Sequence, residues 1–431
     1  MARGARDDAD VIVVGAGPAG SATAHYLAQT GLDVLLLEKG TFPRDKVCGD
    51  GLTPRAVAEL IRMGVSIEES DGWIRNYGLR TYGAGHVIEI PWPELAEMPS
   101  YGLVRSRMNL DETLARHAAA SGARLREGMS VTAPLRSERS GRIVGVTARP
   151  VDAAGRRAGE EVELRARIVV DAGGVSARLA TAMGIEKNTN RPMGVAVRTY
   201  FRSPRHDDDM MESHLELWDG VPGESNLMPG YGWVFALGDG TCNVGLGSLS
   251  STAKPTRLDY KELFATWMRN APAEWEFTPE NQIGPLRSAA LPMAFNRKPH
   301  YTQGLLLVGD SGGMVSPFNG EGIAYAMQSG RMAADVVAQA LARTSPYEME
   351  KALRTYPKLL SEELGGYFTL GQAFARIIER PEIMRACVKY GLPRPVLMRF
   401  VMKLLSDGFD RRDGDWMDRL ITALTRAVPA S

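Results

Sequence analysis

Cysteine is scarce in this chain of 431 residues: Cys48, Cys242 and Cys387 are the only three. Thiols so few and so scattered supply neither a disulfide framework nor a zinc site, so no metal is expected, and they suit a reducing compartment. Net charge is also missing. The 51 Lys and Arg balance 51 Asp and Glu, so no overall field recruits nucleic acid or an acidic partner. No stretch reaches the roughly 18–20 apolar residues that span a bilayer, and no internal repeat stands out. The opening MARGARDDAD holds two arginines and three acids with no apolar h-region, so no signal peptide is expected. A soluble or peripheral protein remains. Its 44% hydrophobic and 24% charged residues are ordinary for a globular chain of two or three domain-sized units.

The information lies in the glycines. Residues 10–14 form an apolar run that ends at Gly15, the pattern of a buried parallel strand. Helical periodicity follows over 19–30, and a second apolar strand over 34–37 ends on Glu38. Gly15, Gly17 and Gly20 therefore sit as G-A-G-P-A-G between a strand and a helix. The first permits a tight turn, the second lets backbone approach a pyrophosphate, and the third lets the helix pack close to the sheet. The helix start offers free N–H groups and the positive dipole end to the phosphates. Glu38, 18 residues beyond Gly20, stands where an acid accepts hydrogen bonds from ribose hydroxyls. This motif alone does not separate NAD from FAD.

The separation comes downstream. GLLLVGD (304–310) is a strand ending in Gly-Asp, followed by SGG (311–313) and PFNGEGI (317–323). An acid at a strand end can bind ribitol hydroxyls, and a glycine-rich turn can aim N–H groups at a flavin edge or at phosphates. A third strand-end motif, VVDAGGVSAR (169–178), lies between the two. Together they predict a non-covalent FAD site. The order GAGPAG, DAGG, GD resembles flavoproteins built like aromatic hydroxylases, halogenases and geranylgeranyl reductases.

FPRDKVCGDGLTP (42–54) narrows the resemblance to the geranylgeranyl reductase family, and within it to the actinobacterial members that saturate an isoprene unit of menaquinone. VRSR ahead of NLD (104–111) and the Tyr231-x-Trp233-x-Phe235 pattern belong to it as well. The family usually has Pro after that Phe, where this chain has Ala236. The resemblance implies FAD contacts at Arg107, at the Val131 backbone near the adenine, and at Glu38, Cys48, Gly49, Asp310, Gly322 and Ile323. With the motif positions, the expected cofactor set also includes Gly15, Gly17, Pro18, Ala19, Gly20, Lys39 and Gly320. Arg105 is a rival to Arg107.

Cys48 is expected nearest the chemistry, in a Gly-rich loop beyond Arg44 and Lys46 whose charges favour a thiolate. Tyr231, Trp233, Phe235 and Leu237 alternate and so share a strand face. Asn243, Gly245 and Gly247 lie opposite, where small side chains leave room for a channel. Cys48, Tyr231 and Trp233 are thus the expected catalytic residues, although an aromatic sheet face is also what plain core looks like. Residues 395–405 are apolar nearly all round, with Arg399 and Lys403 on one stripe, a pattern fit for a bilayer surface or for packing on the core.

The expected fold is α/β with a β-rich insertion. Residues 1–75, 105–190 and 301–345 form a discontinuous Rossmann-type FAD-binding domain of the aromatic-hydroxylase-like type. Residues 76–104 and 191–300 form a β-sheet substrate domain, and 346–431 a helical C-terminal region. The resemblance implies a reductase of isoprenoid double bonds, with a polyprenyl substrate and either NAD(P)H or a carrier protein as electron donor, since no second dinucleotide fingerprint is present. It places the chain in the cytoplasm or at the inner face of the cell membrane. Reduction of geranylgeranyl diphosphate, phospholipid or pigment chains is the alternative, as is a flavin hydroxylase on the same fold. A tryptophan halogenase needs a lysine beyond the first βαβ unit, and none occurs between Lys46 and Lys187. A flavin-binding module without turnover is the remaining, non-enzymatic reading.

Overall fold

The computed structural model describes residues 8–250 and 258–430; most of the N-terminal stretch assessed for a signal peptide lies outside them. Strand Ala9–Val14 is central to an eight-stranded sheet. Val11, Ile12 and Val13 are wholly buried, as a strand covered on both faces must be. It pairs in parallel with Val34–Leu37 on one side and Val162–Asp171 on the other. Leu305–Leu307 and Arg124–Arg126 extend the parallel run outward. Met129–Arg136 and Ile143–Pro150 branch off as an antiparallel layer. Helix Pro18–Gln29 packs between Arg107–Ala120 and Ile323–Leu341.

The second sheet has seven strands, with Thr241–Ser250 between Met193–Arg202 and Tyr231–Ala236. Gly238 and Gly240, at φ +75° and +89°, turn the hairpin that joins Tyr231–Ala236 to Thr241–Ser250. Strand period two divides the side chains between its faces. Val234, Val244 and Leu246 point to helix Tyr260–Asn270, where they meet Leu263, Phe264 and Trp267. The odd-numbered aromatics point the other way. Residues 76–104 divide between sheets: Gly78–Gly83 and His86–Pro91 join the seven-stranded one, while Gly102–Val104 pairs with Gly51–Leu52 and Ile74–Asn76.

The C-terminal helices share a core with the first sheet, through Leu353, Tyr356, Leu364, Phe368, Leu404 and Ile421. Helix Pro395–Leu405 is split in role. Val396 and Leu397 are exposed, whereas Met402 and Leu404 are buried. The stripe divides between the two expectations: Arg399 is exposed and Lys403 is buried. Lys403 turns inward and donates to Asp415 at 2.8 Å and Asp418 at 2.7 Å, because those carboxylates cap helix Trp416–Ala427 and attract the ammonium.

Candidate active site

The glycine loop closes over the C-terminal edge of the parallel strands. Gly15 has φ +98°, and a Cβ there would lie 2.5 Å from the Ala172 carbonyl oxygen. A Cβ on Gly20 would lie 1.8 Å from the Gly15 oxygen, so only glycine lets the helix approach the loop. Gly17 differs. A Cβ there would meet nothing closer than 3.9 Å, and the neighbours it would meet are Arg107, Asp111 and Arg44 side chains. The polypeptide does not need that glycine, so its bareness suits a ligand. Pro18 opens the helix at its first turn, where its missing N–H costs nothing.

Glu38 follows Val34–Leu37 and folds back over the loop, accepting from Ala16 N and Gly40 N, both at 2.9 Å. Arg44 reaches it at 3.0 Å and also donates to Asp111 at 2.8 Å. A carboxylate has about four acceptor sites, so capacity remains for a hydroxyl. Arg107 is buried at the start of its helix and grips Asp111 at 2.6 and 2.8 Å. Burial alone would raise Asp111, but Arg107, with Arg44 and Lys46, outweighs it and holds the carboxyl below its ordinary range. The Cys48 side chain lies within electrostatic reach of Arg107. Its rival Arg105 faces away, stacked on Trp73 at 4.5 Å. Val131 is buried in the strand beside the Glu38 end, two residues beyond Met129, whose N–H bonds the Glu38 carbonyl at 2.8 Å. Lys39 is exposed.

The downstream motif meets the first one. A Cβ on Gly309 would stand 2.9 Å from the Ala19 Cβ, and one on Gly322 would stand 3.5 Å from Asp310 Oδ1. Lys46 links Asp310, at 3.2 Å, to the CGD loop. Gly320 adopts φ +77°, and Ile323 starts its helix in a cluster that Cys48 packs against. Asp171, from the DAGG motif, is turned to structure. It accepts from Gly173 N and Ala180 N.

The aromatic ladder packs on the same loop. Tyr231, Trp233 and Phe235 follow each other at 6.2 and 6.4 Å between ring centroids. A Cβ on Gly49 would touch Phe235 at 3.1 Å and the Trp233 indole at 3.3 Å. The channel expected opposite them is absent. Gly245 pairs with Trp233, and the indole lies 2.3 Å from where a Gly245 Cβ would stand. The small residues make room for the tryptophan itself. Its Nε1 donates to Asn243 at 2.9 Å.

Arg44, expected only as a charge near Cys48, lies over the glycine loop, and two further residues escaped the sequence reading. Asp50, fully buried at φ +67°, ties the CGD loop down: it accepts from Arg107 N at 3.0 Å, Tyr200 OH at 2.7 Å and Asn243 Nδ2 at 2.8 Å. Burial pushes its carboxyl up to about 6, against the pull of those donors. Glu321 sits between Gly320 and Gly322, its Oε1 accepting from Thr53 at 2.6 Å. The one available signal was the interruption of a glycine-rich turn by a single acid.

The donor set fits FAD: a bare N–H cradle at Gly17, two arginines beside it, and acids Glu38 and Asp310 at two strand ends. Residues 8–356 match the FAD binding domain family. The chain is 36% identical over 416 residues to a menaquinone reductase of Mycobacterium tuberculosis, covering 96% of this chain and 95% of that one. It is 30% identical over 370 residues to a digeranylgeranylglycerophospholipid reductase of Methanosarcina acetivorans, covering 84% and 82%. A geranylgeranyl bacteriochlorophyll reductase-like protein of Thermoplasma acidophilum superposes with a TM-score of 0.75 at 24% identity, over 97% of this chain and 100% of that one.

Proposed function

The chain belongs to the FAD-binding-domain family and to its geranylgeranyl reductase branch, and from that premise we propose that it saturates a double bond in the polyprenyl tail of menaquinone. The observation that carries the reading is the contact of an aromatic sheet face with the Cys48–Gly49 loop, beside the residues suited to FAD. Bound FAD, once reduced by NAD(P)H or a carrier protein, supplies a hydride. An isoprene double bond is unactivated, so the protein's work is to hold it still and exclude water. Tyr231 is half-buried, and its hydroxyl is fixed on the Asn319 carbonyl at 2.6 Å. Burial pushes that phenol up to about 12, so it stays neutral and presents its ring to an apolar chain. Gly15, Gly17, Glu38, Arg107 and Asp310 bind the cofactor in this reading, and Cys48 lies next to the reacting carbons. Residues 1–75, 105–190 and 301–345 serve the cofactor, with the second sheet covering the substrate. Deleting the gene and weighing the host's quinones tests it: a menaquinone two hydrogens heavier disappears. Unchanged quinones with altered phospholipid or pigment chains would redirect the substrate.

A bilayer contact extends the same reading. Among the described residues no helix is long and apolar enough to cross a membrane; a polyprenyl quinone resides in a bilayer, and a surface contact would give access to it. Arg380, Arg385, Lys389, Arg394 and Arg399 are exposed between residues 380 and 399, with Glu382 the only acid there. Tyr390, Val396 and Leu397 are exposed among them. Cations around an apolar tip suit an anionic membrane. Sedimentation with vesicles of phosphatidylglycerol, lost when Arg394 and Arg399 become Glu, supports this; equal binding to neutral vesicles contradicts it.

A further inference from the structure

We propose that Glu321 is the acid that delivers the proton to the second carbon of the reduced double bond. The inference rests on the reductase reading and adds the proton source that the reading lacks. Glu321 stands in the loop that joins the parts of the site. Its neighbour Gly322 faces Asp310. Asn319 receives the Tyr231 hydroxyl at 2.6 Å, and Thr53, five residues beyond Cys48, donates to Glu321 Oε1 at 2.6 Å. The side chain is therefore held between the downstream cofactor motif, the aromatic face and the end of the CGD loop.

Its other oxygen has no such partner. Oε2 is closed to solvent and accepts or donates no hydrogen bond, a costly condition for an oxygen that has no further use. A protonated Oε2 is cheaper to bury than a charged one, and its O–H is free for a reacting carbon. The surrounding groups allow this. Arg55, the nearby cation, is tied to Asp407 at 3.0 Å and Gln328 at 2.9 Å. Asp407 adds negative charge, and Tyr231, Tyr325 and Tyr367 complete the titratable groups that face Glu321. Burial pushes the carboxyl up to about 7, with Asp407 acting in the same direction and Thr53 and Arg55 against it. An acid poised there both gives and regains a proton at neutral pH.

The step balances. One alkene carbon accepts a hydride, with its electron pair, from reduced flavin. The π pair forms the second C–H bond with the Glu321 proton, and the O–H pair stays on Oε2. The alkene gains two electrons and the flavin loses two. The carboxylate then recovers its proton from solvent.

The test uses Glu321→Gln, which keeps an acceptor for Thr53 and removes the acid, with Thr53→Val as a second variant. Without substrate or cofactor, wild-type thermal stability should fall as pH rises from about 4.5 to about 7. The folded state holds a proton there that the unfolded chain released near 4.5, and the neutral form's advantage is lost once the folded group ionises. Glu321→Gln should flatten that dependence. In anaerobic single turnover of FAD-loaded, pre-reduced protein with a polyprenyl quinone, Glu321→Gln should slow saturation by roughly 100-fold or more at unchanged FAD content. Thr53→Val should move the pH profile of that step upward, because it removes a hydrogen bond that favours the carboxylate. Equal rates and pH profiles in wild type and Glu321→Gln overturn the inference alone. A wild type that binds FAD but saturates no prenyl chain overturns the reductase reading and the inference with it.

Discussion

Replacing Gly17 by Ala separates what the glycine loop does for the fold from what it does for the ligand. The new Cβ would meet no protein atom within 3.9 Å, and the residue already has φ −79° and ψ −172°, open to any L-residue. Two small backbone effects oppose each other. Alanine restricts the unfolded chain, a gain of about 0.4–1 kcal/mol, while it is a poorer N-cap than glycine by a similar amount. The apoprotein's Tm should therefore move by less than about 2 °C. The cofactor should feel the methyl directly. A pyrophosphate pushed off the helix start loses at least one charge-assisted hydrogen bond, worth roughly 1.5–3 kcal/mol, which is about 10- to 100-fold in Kd. Gly20→Ala is the contrast. Its Cβ would stand 1.8 Å from the Gly15 oxygen, so the loop must shift and the apoprotein itself should lose roughly 2–4 kcal/mol. Thermal melts of the apoprotein and a fluorescence titration with FAD measure both. Wild-type FAD affinity in Gly17→Ala, or a melt as poor as that of Gly20→Ala, would refute the reasoning.

Other substitutions probe the remaining parts. Cys48→Ala should keep bound FAD and lose most turnover; unchanged turnover removes the thiol from the chemistry. Asp50→Asn should cost about 2 kcal/mol, because one amide oxygen cannot accept from Arg107 N, Tyr200 and Asn243 together. It should also remove a fall in stability of roughly 3 kcal/mol as pH rises from about 4 to above 6, since the folded carboxyl titrates near 6 and the unfolded one near 3.8. Chemical denaturation of both proteins across that range reads the difference. Lys403→Met should destabilise by about 2 kcal/mol. It strands Asp418, which is almost fully buried, whereas Asp415 is half exposed and recovers water. A Tm equal to wild type would contradict it.

Gly15, Gly20 and Glu38 were legible because their constraints are local: a positive φ, a helix packed on its own turn, an acid at a strand end. The alternating aromatics were legible as one face for the same reason, the period of a strand. What fills the space beside them was not. Gly245 looks like room for a ligand until the Trp233 indole is seen to occupy it. Arg44 pairs with Asp111 across 67 residues, and no periodicity encodes such a meeting. Asp50 and Glu321 drew no assignment in their glycine-rich loops, since burial of a carboxyl follows from three elements closing on it. Whether Lys403 faces out or in was not legible, because helical spacing gives only a stripe and the acids that draw the ammonium inward belong to the next helix.

The reaction proposed for this chain is reduction of an isoprenoid double bond with FAD and without oxygen. The direct measurement is anaerobic mixing of the dithionite-reduced, FAD-loaded protein with menaquinone, following the flavin spectrum and the mass of the extracted quinone. The account predicts flavin reoxidation in step with the gain of two hydrogens in the prenyl tail. A flavin that stays reduced until oxygen is admitted, with a quinone then gaining an oxygen atom, would contradict it.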